Sequence, residues 1–370
     1  MTLAMFRLLF NVNSFDLQFG GHKMRDLFKR SYQTWAALIL TVLFSQTLWA
    51  AAPKEESPST EPGILSVQFE NDGLTQDLDG YYTQGSRFSY LSNQEPSRWL
   101  ISSARLLPFF TLEGKLRTSY ALGQSIFTPD DIKRSELIVD DRPYAGWLYG
   151  AIGLIAEYRD DSGVFKNRRD SLELNIGIVG PAAYGEQTQT FGHKVRGATE
   201  PEGWDNQLDD EPGFMLLYDR QWQGRYNLAL NGLGIDLIPH VGAALGNVMT
   251  YAAAGATIRF GDHLKDDFGV PLIRPSQPGS VYFAKTSWLS WYLFVGVEGR
   301  AILQNIFLDG NTFTDSHSVD KKDLVGDIQI GLVLTWGDYR LSFTNVFRGK
   351  EFDGQPNSTQ YGSINLSLRL

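Results

Sequence analysis

The sequence predicts an all-β chain: an antiparallel up-and-down transmembrane β-barrel of about twelve strands, with a short helix in an extracellular loop. Three observations predict it. Beyond Pro62, apolar residues recur at every second position, and no segment offers the longer recurrence of an extended helix. Glycine (37 residues) and aromatic side chains (13%) are abundant, which suits tight turns and interfacial aromatic girdles. The chain also ends on an alternating strand, the usual closing element of an outer-membrane barrel, although its last residue is Leu370 rather than an aromatic one.

Ahead of the barrel, Trp35–Phe44 (WAALILTVLF) follows Lys29 and Arg30 and precedes Leu48-Trp49-Ala50-Ala51-Ala52. A positive start, a short apolar core and small residues before a polar stretch read as an export signal. The run is shorter than the roughly 20 residues of a membrane-spanning helix. Residues 1–50 are therefore assigned to a signal peptide, with cleavage after Ala50 or Ala52. The residues before Met24 resemble an upstream extension, which leaves Met1 and Met24 as alternative starts. Residues 51–61, with Pro53 and Pro58, form a flexible leader, and residues 62–370 form the barrel domain.

The first strand, Pro62–Glu70, sets Leu65, Val67 and Phe69 against Ser66, Gln68 and Glu70. Ser171–Gly180 sets Leu172, Leu174, Ile176 and Ile178 against Ser171, Glu173, Asn175 and Gly177. The last strand sets Ile364, Leu366 and Leu368 against Ser363, Asn365 and Ser367. Apolar outside and polar inside is the pattern of a lipid-facing wall. Similar runs cover Tyr81–Ser92, Leu116–Phe127, Ala145–Tyr158, Gly213–Gln223, Leu228–Leu245, Thr250–Phe260, Ser290–Leu308, Asp323–Trp336 and Asp338–Arg348. Gln223–Arg225 reads as a tight turn, while Asn93–Lys115 and Gly261–Leu289 are long for the periplasmic side.

Charge and composition narrow the function. A net charge of -9 argues against a nucleic-acid partner. With no cysteine, thiol catalysis and thiolate metal sites are excluded. Neither a Gly-x-Ser-x-Gly elbow nor a His-Glu-x-x-His helix occurs.

Strand parity brings the candidate chemistry together. The connections after the first, third and fifth strands (Asn71–Gly80, Thr128–Tyr144 and Pro181–Pro212) open on one rim, and they carry Asn71-Asp72, Lys133-Arg134 and His193. Within Ala183–Gly197 a short helix is predicted, ended by Gly197, with Gln189 and His193 four apart on one face. Taken alone, each signal has a plain alternative. His193 can be a solvated loop histidine, Asn71-Asp72 ordinary turn chemistry, and Lys133-Arg134 either a solvated pair or a phosphate clamp. His240, His263 and His317 read as structural or incidental. By parity Asn71 shares the outward side of Val67 and Phe69, and Asp72 points inward.

The runs Phe69-Glu70-Asn71-Asp72, Asp79-x-x-Tyr82-Thr83-x-Gly85 and Asp141-Arg142-Pro143-Tyr144-Ala145-Gly146-Trp147 resemble the outer-membrane lipid A deacylase family, of the 3-O-deacylase type. So do Gly180-Pro181 through Gly185-Glu186-Gln187-x-Gln189-x-x-x-His193, Gly203-Trp204-Asp205-Asn206-Gln207 and Glu211-Pro212-Gly213. The resemblance extends over the mature chain. It implies a twelve-stranded barrel whose site lies between the wall and a helix in an outer loop. The implied activity is calcium-dependent (Ca2+) release of the 3′-acyloxyacyl group of lipid A, by a mechanism like that of phospholipase A2.

On that resemblance His193 matches the water-activating histidine, and Asn71 and Asp72 match residues of the calcium-dependent site. Thr83, Lys133, Arg134 and Gln189 align with further site residues. A glutamate of the family pattern falls at Thr199, with Glu200 adjacent. The implied chemistry is coherent: calcium stabilises the ester oxyanion as a Lewis acid, and a neutral imidazole takes a proton from water. Gln189 orients that water or donates to the oxyanion, Thr83 holds a substrate oxygen, and Lys133 and Arg134 neutralise a lipid A phosphate. The expected setting is a monomer in the outer membrane acting on lipopolysaccharide. The competing readings are a non-enzymatic barrel (pore or structural protein) and an outer-membrane phospholipid hydrolase.

Overall fold

The computed structural model describes residues 61–370 except 75–80, 161–164, 166, 228–232, 267 and 270–281, together with a short pairing of Gln18–Phe19 with His22–Lys23. The expected signal run, the alternative start at Met24 and the leader up to residue 60 lie outside the described residues. Twelve strands form a closed antiparallel barrel: β1 (Ile64–Asn71), β2 (Tyr81–Leu91), β3 (Lys115–Thr128), β4 (Ala145–Tyr158), β5 (Asn167–Val179) and β6 (Glu211–Asn227) make one half. β7 (Gly234–Gly246), β8 (Met249–Gly261), β9 (Thr286–Asn305), β10 (Leu324–Gly337), β11 (Tyr339–Arg348) and β12 (Thr359–Arg369) complete it. Each strand pairs with its chain neighbours, and β12 closes on β1 in a register that sets Ser367 opposite Ser66, their hydroxyls 2.8 Å apart.

The period-two pattern sorts as expected. Leu65, Val67, Phe69, Leu174 and Ile176 are exposed on the outer wall, whereas Ser66, Glu70, Ser171, Glu173 and Asn175 are buried in the lumen. Every backbone group of a closed sheet is paired, which is why this wall can stand in hydrocarbon.

An apolar layer crosses the lumen. It draws side chains from eleven of the twelve strands, among them Tyr82, Phe127, Trp147, Tyr251 and Tyr361, and is sealed by Phe307 stacked on Phe127 with ring centroids 3.9 Å apart. Ion pairs fill further space: Asp327 accepts from Arg300 (2.8 Å) and from Arg348 (3.0 and 2.9 Å), and Arg87 meets Glu173 at 2.8 Å. Such charges persist in a lumen because each is paired and hydrogen-bonded.

Three expected boundaries differ. Gln223–Arg225 is not a turn: Gly224 pairs with Leu237 and Arg225 with Asp236, so β6 runs on to Asn227. Gly224 serves another purpose, because a Cβ there would stand 2.3 Å from the Phe165 ring. The strand expected to begin at Leu228 begins at Gly234, with 228–232 outside the described residues. The strand expected to reach Leu308 stops at Asn305, whose side chain accepts from the Phe307 backbone N–H at 3.2 Å and caps a helical turn, Ile306–Asp309. Of the two long connections, Asn93–Lys115 contains α1 (Arg98–Ala104), whose Leu100 and Ala104 cover Leu154 and Ala156 of the outer wall.

Candidate active site on the outer wall

The connections after β1, β3 and β5 do open on one rim, as strand parity requires. The last of them carries α2 (Gly185–Arg196), ended by Gly197 at φ 67°, as the glycine signal implies. It is set up by a short 3-10 turn, Pro181–Ala183, and by Tyr184 in the left-handed conformation (φ 57°, ψ 31°). The 3-10 turn is tied down twice, by the Ala182 N–H donating to Asp210 (2.7 Å) and by the Gln124 side-chain amide donating to the Ala183 carbonyl (2.6 Å).

Gln124, Ile126 and Thr128 share the outward parity of Leu122, yet Ile126 and Thr128 are fully buried. What covers this wall is α2 together with the segment bearing Trp204: Ile126, Ile132, Tyr144 and Trp204 form one apolar cluster. Backbone approaches backbone at the joint. A Cβ on Gly146 of β4 would lie 3.1 Å from the Ala183 Cβ and 3.2 Å from the Gly185 nitrogen. Gly146→Val is therefore expected to lift the start of α2 and to cost activity at least about tenfold, since small misplacements of reacting groups are expensive. Heat-modifiable gel mobility should still report a folded barrel; an unchanged rate would mean that the joint does not position the helix.

Against this wall α2 turns one face inward. Gln189 (1% exposed) and His193 (5%) are buried on it, while Phe191 (70%) and Val195 (71%) are exposed. Tyr184 is exposed as well, and the spacings 184, 191, 195 align the three along one stripe.

The polar geometry is specific. The His193 ring Nδ1 bonds the Thr199 carbonyl. Because a carbonyl only accepts, Nδ1 carries the proton in the neutral ring, and Nε2 is the basic nitrogen. The Trp204 indole N–H donates to Gln189 Oε1 at 2.8 Å. An indole only donates, so this contact fixes the amide orientation and leaves Nε2 as a buried N–H group with no partner among the described residues. Below the helix, Asn71 donates from Nδ2 to the Thr83 carbonyl (2.8 Å), and the Thr83 and Thr128 hydroxyls are 2.7 Å apart. Thr83 is the extra residue at a register shift between Tyr82 and Gln84, which is how a bulge re-aims a side chain. Asp72 has left the strand for a 3-10 turn, where parity no longer applies; it is buried, and it accepts from the Gly73 N–H at 2.7 Å. Arg196 ties the two parts together by donating to Asn71 Oδ1 at 2.9 Å and to the Gly73 carbonyl at 3.4 Å.

Asn71, Asp72 and Thr83 thus lie at the end of β1 and its neighbour β2, and Arg196 joins them to the helix whose buried face bears Gln189 and His193. Lys133 and Arg134 do not join them: both side chains are exposed on the neighbouring loop. That loop is held to the Trp204 segment by the Glu202 N–H donating to the Ile132 carbonyl (2.8 Å) and the Asn206 amide donating to the Ser135 carbonyl (2.8 Å). In the same loop, burial pushes the carboxyl groups of Asp130 and Asp141 above the usual carboxylate range. The other three histidines of the barrel domain are occupied elsewhere: His240 meets Glu298 in the lumen at 3.0 Å, His317 bonds the Asp141 carbonyl at 2.7 Å, and His263 lies beside Asp262.

A family model described as "Outer membrane protein LpxR" matches residues 35–370. The chain belongs to the LpxR family. Among solved structures, LpxR from Salmonella typhimurium is similar over 83% of this chain and 100% of that chain, with a TM-score of 0.67 at 19% identity, a likeness of fold. The β domain of the Bordetella autotransporter Brka covers 84% of this chain and 100% of its own, at 11% identity and a TM-score of 0.44. No curated protein matches the chain in sequence.

Membership of the LpxR family makes this an outer-membrane barrel of the lipid A deacylase type. At position 199, where the resemblance leads to the expectation of a glutamate, the Thr199 backbone carbonyl meets His193, and Glu200 is turned to Lys194 at 3.7 Å. The turn after β1 also presents several oxygen atoms. Asn71 Oδ1, the Asp72 carboxylate and the Gly73 carbonyl are hard oxygen donors within one turn, the type calcium takes. Among the described residues no group of three or more His, Cys, Asp or Glu gathers, so water and substrate would complete the roughly six to eight oxygens.

Sequence reasoning passed over Thr128, Gly146 and Arg196. Arg196 was open to detection, because it lies three residues after His193 and seven after Gln189 and so shares their face.

Proposed function

We propose that this LpxR-family protein is a calcium-dependent ester hydrolase that removes the 3′-acyloxyacyl group of lipid A in the outer leaflet. The observation that carries the reading is the placement of the Gln189–His193 face of α2 on the lipid side of the barrel wall. An ester embedded in a bilayer reaches such a site laterally. The exposed stripe of Tyr184, Phe191 and Val195 supports the same approach, since it presents apolar surface to acyl chains.

In this mechanism the neutral His193 ring, held by the Thr199 carbonyl, accepts a proton at Nε2 from a water molecule. The water oxygen bonds to the ester carbonyl carbon, and the Gln189 Nε2 donor faces the oxygen on which negative charge develops. The carbon–oxygen bond to the sugar then breaks, and His193 returns its proton to the departing 3′-hydroxyl oxygen. Thr83 holds a substrate oxygen, and Lys133 and Arg134, exposed at the site's edge, meet the lipid A phosphate. Asn71 and Asp72 would hold calcium, which supplies Lewis-acid stabilisation of the oxyanion when bound. The protein is exported by its N-terminal signal and works as a monomer.

Mass spectrometry of lipid A from cells with and without the protein tests the reading, with loss of the 3′-acyloxyacyl mass as the expected result. Lysophospholipid accumulation instead would make it a phospholipid hydrolase. Ion conductance with unchanged lipids would make it a pore, a reading the apolar layer across the lumen does not favour. Asp72→Ala should abolish deacylation or raise the calcium it requires; an unchanged calcium titration would remove Asp72 from the ion's surroundings.

A further inference from the structure

The guanidinium of Arg196 sits on the turn that follows β1. It spans Asn71 Oδ1 (2.9 Å) and the Gly73 carbonyl (3.4 Å), across the turn whose middle residue is the buried Asp72. The fit depends on the missing side chain of Gly73. A Cβ there would lie 2.5 Å from Arg196 Nη2, 2.7 Å from Nη1 and 2.9 Å from Asn71 Oδ1. The turn is therefore a cradle shaped around a planar cation, and Arg196 reaches it from the last turn of the helix that carries His193.

We infer that Arg196 is a built-in competitor for calcium: it holds the Asn71 and Gly73 oxygens, and a calcium ion binds there only as the guanidinium leaves. The inference deepens the deacylase reading and rests on it. Two cations cannot share these oxygens closely, because their repulsion at such separations is large in a partly desolvated rim. Arginine is always charged, so the competition persists at every physiological pH. The release has a structural consequence as well, since Arg196 ties the end of α2 to the Asn71–Gly73 turn. Calcium entry would thus be coupled to the seating of the C-terminal turn of α2, three residues from His193. Arg196 acts here as a positioning residue.

The test measures calcium binding by isothermal titration calorimetry on the refolded full barrel in detergent micelles, with wild type, Arg196→Gln and Arg196→Lys compared. Arg196 is exposed at the rim, and heat-modifiable mobility checks that each variant folds. Arg196→Gln is expected to bind calcium at least tenfold more tightly than wild type. Arg196→Lys should fall between them, because it keeps the charge but loses the two-pronged grip. Equal or weaker affinity in Arg196→Gln, or no binding by either protein, overturns the inference. Lipid A mass spectrometry on the same preparations separates the two ideas: tighter calcium binding with no deacylation by any of them sustains the competition and sinks the deacylase reading.

Discussion

His193→Ala is expected to lose deacylase activity at least about 100-fold while leaving a folded, membrane-inserted barrel, the usual scale of general-base catalysis. The prediction follows from how the ring is held. It is buried on the wall face of α2, and its Nδ1 proton is committed to a backbone carbonyl, so the basic nitrogen is Nε2 whatever side chain occupies position 199. The barrel has no stake in the ring, because its strands close and its lumen fills without any part of α2. Lipid A mass spectrometry gives the rate, and heat-modifiable mobility gives the fold. Added imidazole should restore part of the activity if the ring acts as a base, and a purely structural loss would not respond. A His193→Ala protein within a few-fold of wild type would remove the residue from the chemistry.

Gln189→Glu is expected to lower kcat by about 100- to 1,000-fold, the range seen when an oxyanion donor is removed, with a smaller change in KM. The substitution is chosen for what it preserves. A carboxylate oxygen still accepts from the Trp204 indole at the position of Oε1, so the helix keeps its contact with the aromatic cluster. The N–H group that lacks a partner becomes an acceptor, which repels developing negative charge where the amide would attract it. Initial rates over a range of lipid A concentrations in mixed micelles separate kcat from KM. A loss confined to KM would mean that Gln189 binds substrate and does nothing for the transition state; kcat within tenfold of wild type would end its role as a donor.

Much of the architecture could be read from the chain, because a strand repeats every two residues and a lipid-facing wall makes that repeat visible as alternating polarity. Leu65–Phe69 against Ser66–Glu70 specified both the strand and its two faces, and Ala145–Tyr158 was delimited to the residue. Where the reading failed, a residue's local preference was overridden by a partner distant in sequence. Gly224 looks like a turn former but makes room for the Phe165 ring. Asn305 continues an apolar run yet caps a helical turn whose Phe307 stacks on the sequence-distant Phe127 in the lumen.

The site divides in the same way. As candidates, Asn71, Asp72, Gln189 and His193 followed from strand ends and helical spacing, Thr83 followed only from the family resemblance, and the shared rim followed from counting strands. By itself, then, the sequence determined the barrel, its sidedness and which connections meet, since these depend on periodicity and parity along one chain. Only the tertiary structure decided that the helix lies outside the wall, seated on Gly146 and Ile126. It also decided that a backbone carbonyl replaces an expected carboxylate, that Lys133 and Arg134 stay at the edge, and that Arg196 grips the Asn71–Gly73 turn. The physical reason is that all of these but the His193–Thr199 contact, which spans six residues, turn on contacts between residues 37 to 125 apart, and no local pattern encodes which of them will fill a given space.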